Sequence, residues 1–240
     1  MVSSQPQGLN LERLVKSAVN LLKIVRSETP DIIVALSFGK DSLVTLDLCT
    51  RIFEKVYAFY LYRLPGVKII EKYRRLVKRR YKNLKKVMMV PHFDLSRIFR
   101  NAVLMPHWRG LEETPSVSFR EVEDYVRLET GVEWVAYGWR RNESINRALI
   151  FKKCGGIDFN ACRVFPVWQW QIKHVYAYLD MQKIPRPPLL GRKNQGGFDF
   201  HPEALKYLRD HEPETWRRWL ECFPFSPVML CSEESESHAI

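Results

Sequence analysis

Ser37, Gly39, Lys40, Asp41 and Ser42 stand within six residues, SFGKDS (37–42), directly after the apolar run DIIVAL (31–36). Two hydroxyls, an ammonium and a glycine between a buried strand and a helix suit an anion. The turn directs backbone N–H groups into a concavity, and the positive end of the helix favours negative charge. Asp41 adds a carboxylate that could hold a magnesium ion bridging phosphates. A plain strand–turn–helix in which Asp41 or Ser42 merely caps the helix would use the same residues.

Two familiar phosphate loops are excluded. A Walker A loop aligned on Gly39-Lys40 requires Gly at 34 and Ser or Thr at 41, and the chain has Val34 and Asp41. No G-x-G-x-x-G follows the first strand, so a dinucleotide fingerprint fails as well.

The elements that must position the loop follow from periodicity. Leu11, Leu14, Val15, Ala18, Leu22 and Val25 recur at helical spacing, and Pro30 ends that helix. Residues 31–36 read as a strand buried on both faces, and the chain returns to helical period from Asp41. Strands are expected at 55–64, 85–92, 132–138 and 163–167, and helices at 118–131, from Ile172 to Met181 and from Pro202 to Leu220. Strands alternating with helices predict an α/β fold with an open, mostly parallel five-stranded sheet, helices on both faces and a helical C-terminal extension. In such sheets ligands sit beyond the carboxyl ends of the strands. That places SFGKDS, GWRRNES (138–144) and the residues after RVFPV (163–167) on one rim. Residues 1–225 read as one domain and 226–240 as a mobile Ser/Glu-rich tail.

SFGKDS resembles the PP-loop, SGGKDS, of the ATP pyrophosphatase superfamily, with Phe38 in place of a Gly. GWRRNESINR (138–147) is similar to the G-x-R-x-x-E-S-x-x-R segment of the PAPS reductase and ATP sulfurylase small-subunit group. FPVWQWQIKHVYAYLDMQKIPRPPLL (165–190) is similar to that group's P-I-x-x-W-x-x-x-D-V-W-x-Y-I followed by I-P-x-x-P-L-Y, with His174 where relatives have Asp.

The resemblance implies an adenine nucleotide alpha hydrolase-like fold. It implies ATP, or a nucleotide of the PAPS or APS type, on a site made of Ser37, Phe38, Gly39, Lys40, Asp41, Ser42, Gly138, Arg140, Glu143 and Arg147. Lys40, Asp41 and Arg140 would be catalytic, with Asp41 the ligand of Mg2+. Arg140 would grip phosphate or sulfate through its rigid charged fork, Glu143 would orient it, and Arg147 would add charge. A surface ion pair is the plain alternative for Arg140 and Glu143.

The expected chemistry is attack at the α-phosphorus of ATP with release of pyrophosphate, onto an acceptor the sequence does not identify. One rival is a sulfonucleotide reductase. It would need a nucleophilic thiol, but Cys231 lacks the family's E-C-G-[LI]-H context and stands among Glu233, Glu234 and Glu236, which raise a thiol pKa. GRKNQGGFDF (191–200) carries no Cys, so no iron–sulfur cluster is expected. Other rivals are a nucleic-acid thiolation or modification enzyme, and a non-catalytic nucleotide-binding subunit of a complex, for which Phe38 crowding the phosphates would be a reason.

The 240 residues carry 38 Lys and Arg against 27 Asp and Glu, a net charge of +11. Much of the excess lies in 68–86, KIIEKYRRLVKRRYKNLKK, where Glu71 is the only acid. That segment reads as an amphipathic helix with a solvated basic face, or as a surface for nucleic acid in which Arg74, Arg75, Arg79 and Arg80 take part. A protein partner is the other interaction considered. The five Cys form no C-x-x-C pair, and the dispersed His residues form no metal constellation. No apolar run is long enough to span a bilayer, and the N-terminus has no signal-peptide pattern, so the expected location is cytoplasmic.

Overall fold

The computed structural model describes residues 7–95, 117–185 and 200–230. In chain order the elements are α1 (Gln7–Glu28), β1 (Asp31–Ala35), α2 (Lys40–Thr50), β2 (Lys55–Tyr62), α3 (Lys68–Arg80), β3 (Leu84–Pro91), α4 (Phe119–Thr130), β4 (Val135–Ala136), α5 (Ile145–Cys154), β5 (Ile157–Asp158), β6 (Arg163–Val164), α6 (Ile172–Met181), α7 (Pro202–His211) and α8 (Pro213–Cys222).

The strands form one sheet in the order β3-β2-β1-β4-β6-β5. It has six strands where five were expected. The extra one, β5, is only two residues long and pairs antiparallel with β6 (Ile157↔Val164), while the other pairings are parallel. Two residues are too few to show any alternation, so β5 had no periodic signal to read.

Both faces of the sheet are covered, which is why β1 reads as unbroken apolar sequence. Ile32 and Val34 pack into one core with Leu22 of α1, Leu46 of α2, Val77 of α3 and Leu179 of α6. Ile33 points the other way and packs with Phe59, Met88, Val122 and Val126 of α4, and Phe151 of α5. From β1 the chain moves to β2 on one side, and only later to β4 on the other. The gap between the carboxyl ends of β1 and β4 is therefore the topological switch point, where α/β sheets bind ligands.

Local chemistry sets the helix ends. Ser118 and Glu121 form a reciprocal capping box at α4, and Gly131 closes that helix at φ 67°. Ser144 accepts from Arg147 N at the start of α5. His174 belongs to a similar reciprocal cap, its Nδ1 accepting from Gln171 N at 3.1 Å, so its place in α6 is a helix-end matter.

The single C-terminal helix expected over 202–220 is two helices. Pro213 takes the first position of α8, where its missing N–H is harmless, and the chain turns at Glu212. Glu212 is itself buried, and it accepts from Lys68 N at 2.9 Å and Ile69 N at 2.7 Å, capping α3 from far along the chain. Val67, the residue preceding α3, has no side chain that can do this.

The tail boundary expected at 226 falls inside packed structure. Ser226 is fully buried and accepts from Trp219 Nε1 at 2.8 Å, and Leu230 is buried as well. Residues 231–240, and the end of the 165–190 motif past 185, lie outside the described residues. Among the described residues no helix is long and apolar enough to cross a membrane.

Candidate functional site

The strand β1 delivers Ser37 to Ser42 to the sheet's rim, and α2 starts inside that stretch with Gly39 as its capping residue. The loop is tied to itself. Gly39 N donates to Ser37 Oγ at 3.2 Å, and Ser42 Oγ donates to Gly39 O at 2.9 Å while lying 3.1 Å from Ser37 Oγ.

Phe38 sits in the left-handed region at φ 57°, a conformation that costs a non-glycine residue about 1–2 kcal/mol. Its ring compensates by burial. It is 2% exposed and packs against Tyr60, ring centroids 5.3 Å apart. The side chain is thus turned into the core and does not crowd the loop's concavity.

A second strand end meets the first. Gly138 follows β4 and lies against the backbone of the α2 start. A Cβ on Gly138 would stand 2.7 Å from Asp41 C, 2.8 Å from Asp41 O and 2.9 Å from Ser42 N. Real Cβ atoms do not come so near backbone, so glycine is needed at 138 for the two strand ends to meet. Two residues on, Arg140 reaches the loop.

In the resulting charge cluster Lys40, Asp41 and Arg140 are buried, and Glu143 and Arg147 are half-buried. Arg140 Nε stands 2.7 Å from Asp41 Oδ1, and Arg140 Nη2 stands 3.1 Å from Glu143 Oε1. Lys40 Nζ is 3.2 Å from Asp41 Oδ2, and Arg147 Nη1 contacts Glu143 Oε2. Glu143 also accepts from Arg140 N at 3.1 Å, which fixes the short 3-10 turn Arg141–Glu143. Asp41 Oδ1 and Arg140 Nε are close enough for an ion pair but not aligned for a hydrogen bond, and both are buried without a hydrogen-bond partner among the described residues. Buried polar atoms left so are costly, about 1–3 kcal/mol each, and an incoming anion or cation would satisfy them. Burial pushes the Arg147 guanidinium below its ordinary value. Asp41 raises it in part and Arg140 lowers it further.

These groups open onto a cleft of about 1020 Å³, lined by Ser37, Gly39, Asp41 and Ser42 on one side and by Gly138, Arg140, Glu143 and Arg147 on another. The structure therefore brings together eight of the ten residues expected at the site. The side chains of Phe38 and Lys40 do not line it. Lys40 acts on the cleft through Asp41.

Several lining residues carried no motif signal. Trp139 forms an aromatic wall with Tyr137 (centroids 4.8 Å) and Phe165 (5.5 Å), and the Arg147 guanidinium lies 5.0 Å from its ring centroid. Its place between Gly138 and Arg140 was the available clue. Across the cleft, Arg63 and His92 line the wall and both contact Asp94. Burial pushes the Asp94 carboxyl up, but hydrogen bonds from His92 and Arg63 outweigh this and hold it at about 2. Among the described residues, no group of three or more His, Cys, Asp or Glu is placed to hold a metal ion.

Residues 31–202 match the family described as the phosphoadenosine phosphosulfate reductase domain. The chain belongs to that family. It is 25% identical over 187 residues to a phosphoadenosine 5'-phosphosulfate reductase of Gloeobacter violaceus, an alignment covering 74% of this chain and 73% of the relative. Among solved structures it is similar to phosphoadenylyl-sulfate reductase of Candida auris in a phosphate complex, at 19% identity and TM-score 0.47, covering 78% of this chain and 92% of that one. An NH3-dependent NAD synthetase of Campylobacter jejuni in complex with the nitrate ion is similar at 12% identity and TM-score 0.47, covering 92% and 94%.

Proposed function

We propose that the cleft binds an adenine nucleotide with its phosphate chain on the Ser37–Ser42 loop, and that the chemistry is substitution at the α-phosphorus of ATP with pyrophosphate leaving. The observation that carries this reading is the pairing of Asp41 with Arg140. Both side chains are buried at the positive end of α2, and each has an atom without a hydrogen-bond partner among the described residues. The backbone amides at the start of α2 would receive the leaving pyrophosphate. Arg140, held by Glu143, and Arg147 would meet the charge that develops on the leaving oxygens.

Magnesium takes one or two carboxylates plus substrate phosphates, and Asp41, with Glu143 tied to Arg140 and Arg147, fits a metal that arrives with the nucleotide. Bound there, it would supply charge neutralisation and alignment of the phosphates. Lys40 would balance Asp41 in the absence of metal. The acceptor's nucleophile would form its bond to the α-phosphorus as the bond to the bridging oxygen breaks. The products are pyrophosphate and an adenylylated acceptor, or AMP when water is the acceptor.

A second reading, sulfonucleotide reduction, is favoured by the name of the Gloeobacter violaceus relative. It requires a thiolate at the cleft. Cys49, Cys154, Cys162 and Cys222 do not line it, and burial raises the thiols of Cys49, Cys162 and Cys222. Cys231 would have to serve.

The test is chromatography of labelled ATP or labelled PAPS with candidate acceptors, with pyrophosphate and sulfite followed separately. Pyrophosphate release that falls about 10²-fold or more in Asp41→Asn and Arg140→Ala supports the first reading. Sulfite release that disappears in Cys231→Ser supports the second. Release of ADP and phosphate from ATP, lost in Asp41→Asn, would overturn the proposed assignment of the loop.

A further inference from the structure

The basic helix α3 takes no part in the cleft, and its charge is not spread evenly around its axis. At 3.6 residues per turn, Lys68, Lys72, Arg75 and Arg79 fall within about 60° of one another, a stripe about 16 Å long. Ile69, Ile70, Tyr73 and Val77 occupy the opposite side and are buried against the sheet. Lys78 flanks the stripe, Lys82 stands between α3 and β3, and Lys85 lies on β3, the edge strand.

Not every cation of the segment is available. Arg74 pairs with Glu71, Lys68 with Glu214 and Lys86 with Glu129. Arg80 donates to the carbonyl oxygens of Gln182 and Lys183, so it serves the packing of α3 on the end of α6. Lys72, Arg75, Lys78, Arg79, Lys82 and Lys85 are all exposed, and none has a carboxylate within ion-pair distance among the described residues. A face whose only role was solubility would mix the two signs, as the outer face of α4 does with Arg120, Asp124 and Arg127.

We infer that this stripe is a docking surface for the sugar–phosphate backbone of a nucleic acid. Three observations select that occupant. The unpaired part of the stripe, Lys72 to Arg79, offers charge repeated along about 10 Å, which matches about three phosphates of one strand at about 3.4 Å each. No large hydrophobic residue is exposed anywhere in 68–86, whereas a membrane-surface helix inserts apolar side chains and a protein hot spot is built from buried aromatic anchors. The stripe also starts next to the cleft. Lys68 follows five residues after Arg63, which lines it, so a strand lying on α3 runs to the rim where the nucleotide loop opens. Cations that meet phosphate bind whatever the base, so binding through this stripe is expected to be independent of sequence.

The experiment measures fluorescence anisotropy of a labelled 20-nucleotide mixed-sequence RNA, and of a duplex DNA of equal length, titrated with the intact chain across salt concentrations. The expected result is binding whose log Kobs falls linearly with log[salt], with a slope of about −0.7 per phosphate contact on the single strand and −0.9 on the duplex. The combined variant Lys72→Glu, Arg75→Glu, Lys78→Glu, Arg79→Glu should bind at least about 10-fold more weakly at low salt, with a flattened slope. The same four positions changed to Gln give a milder variant that keeps the buried face of α3 intact, and urea unfolding verifies that both fold. An unchanged isotherm in a folded variant overturns the inference. So does equal or tighter binding to polyglutamate or to phosphatidylserine vesicles, which would make the stripe a protein-docking or membrane surface.

Discussion

A single methyl group at residue 138 tests how the two halves of the cleft are joined. In Gly138→Ala the new Cβ would stand 2.7 Å from Asp41 C, and ordinary contact begins at 3.4 Å. All three clashing atoms are backbone, so no flexible side chain can yield. The strands behind them are also pinned, since β1 and β4 pair at Ile33↔Val135 and Val34↔Ala136. Overpacking of this kind costs about 1–3 kcal/mol of stability. The separation also draws Arg140 away from Asp41, which it now meets at 2.7 Å. A misplacement of about 1 Å lowers turnover by about 10²-fold, and this smaller shift is expected to lower it about 10-fold. Urea unfolding gives the first quantity, and nucleotide titration with pyrophosphate release gives the second. If Gly138→Ala unfolds at the wild-type urea concentration and binds nucleotide with unchanged affinity, close backbone approach is not what requires glycine there.

Three further outcomes are expected. Glu212→Ala leaves two backbone N–H groups of α3 without their buried acceptor and should destabilise the fold by about 1–3 kcal/mol, measured by urea unfolding; an unchanged midpoint would refute the capping role. Asp94 is held at about 2, below the ordinary 3.8, so its contribution is complete above about pH 4 and is lost as pH falls through about 2. Acid unfolding of Asp94→Asn should accordingly lack that part of the pH dependence, and a superimposable curve would show that the Arg63–His92 contacts do not hold the carboxylate. Removal of residues 232–240, a polar and acidic stretch with little to bury, should leave nucleotide affinity unchanged by calorimetry; a weakened affinity would mean that these residues act on the site.

What could be read from the sequence was whatever is encoded locally. The apolar run before SFGKDS, the helical period after it and the strand before GWRRNES placed Asp41 and Arg140 on one rim, and the structure brings them to 2.7 Å. What could not be read depends on partners distant in the chain. Nothing near Phe38 says that its ring turns inward onto Tyr60, and the alarm over a side chain in the loop followed from that omission. Gly138 looked like one letter of a motif, because the backbone it must admit lies about a hundred residues earlier. The cap of α3 comes from Glu212, which a local search for N-cap residues at Val67 cannot find. Arg80 reads as free charge in its own segment, because the carbonyl oxygens of Gln182 and Lys183 that it meets lie about a hundred residues later.

The trans-cap at Glu212 bears on where this protein can be divided. The family match covers 31–202, which includes every cleft residue discussed above. A chain cut to those limits would keep these cleft residues and be incomplete as a folding unit. It would lose Ala18, Leu22 and Val25 of α1 and Leu205, Leu208, Trp219 and Phe223 of the C-terminal helices, all fully buried. It would also leave the first turn of α3 with bare amide donors. During synthesis the same dependence holds in time, because α3 emerges more than a hundred residues before its cap does. Grafting this cleft onto another protein, or expressing it alone, therefore requires both flanks that the family signature omits.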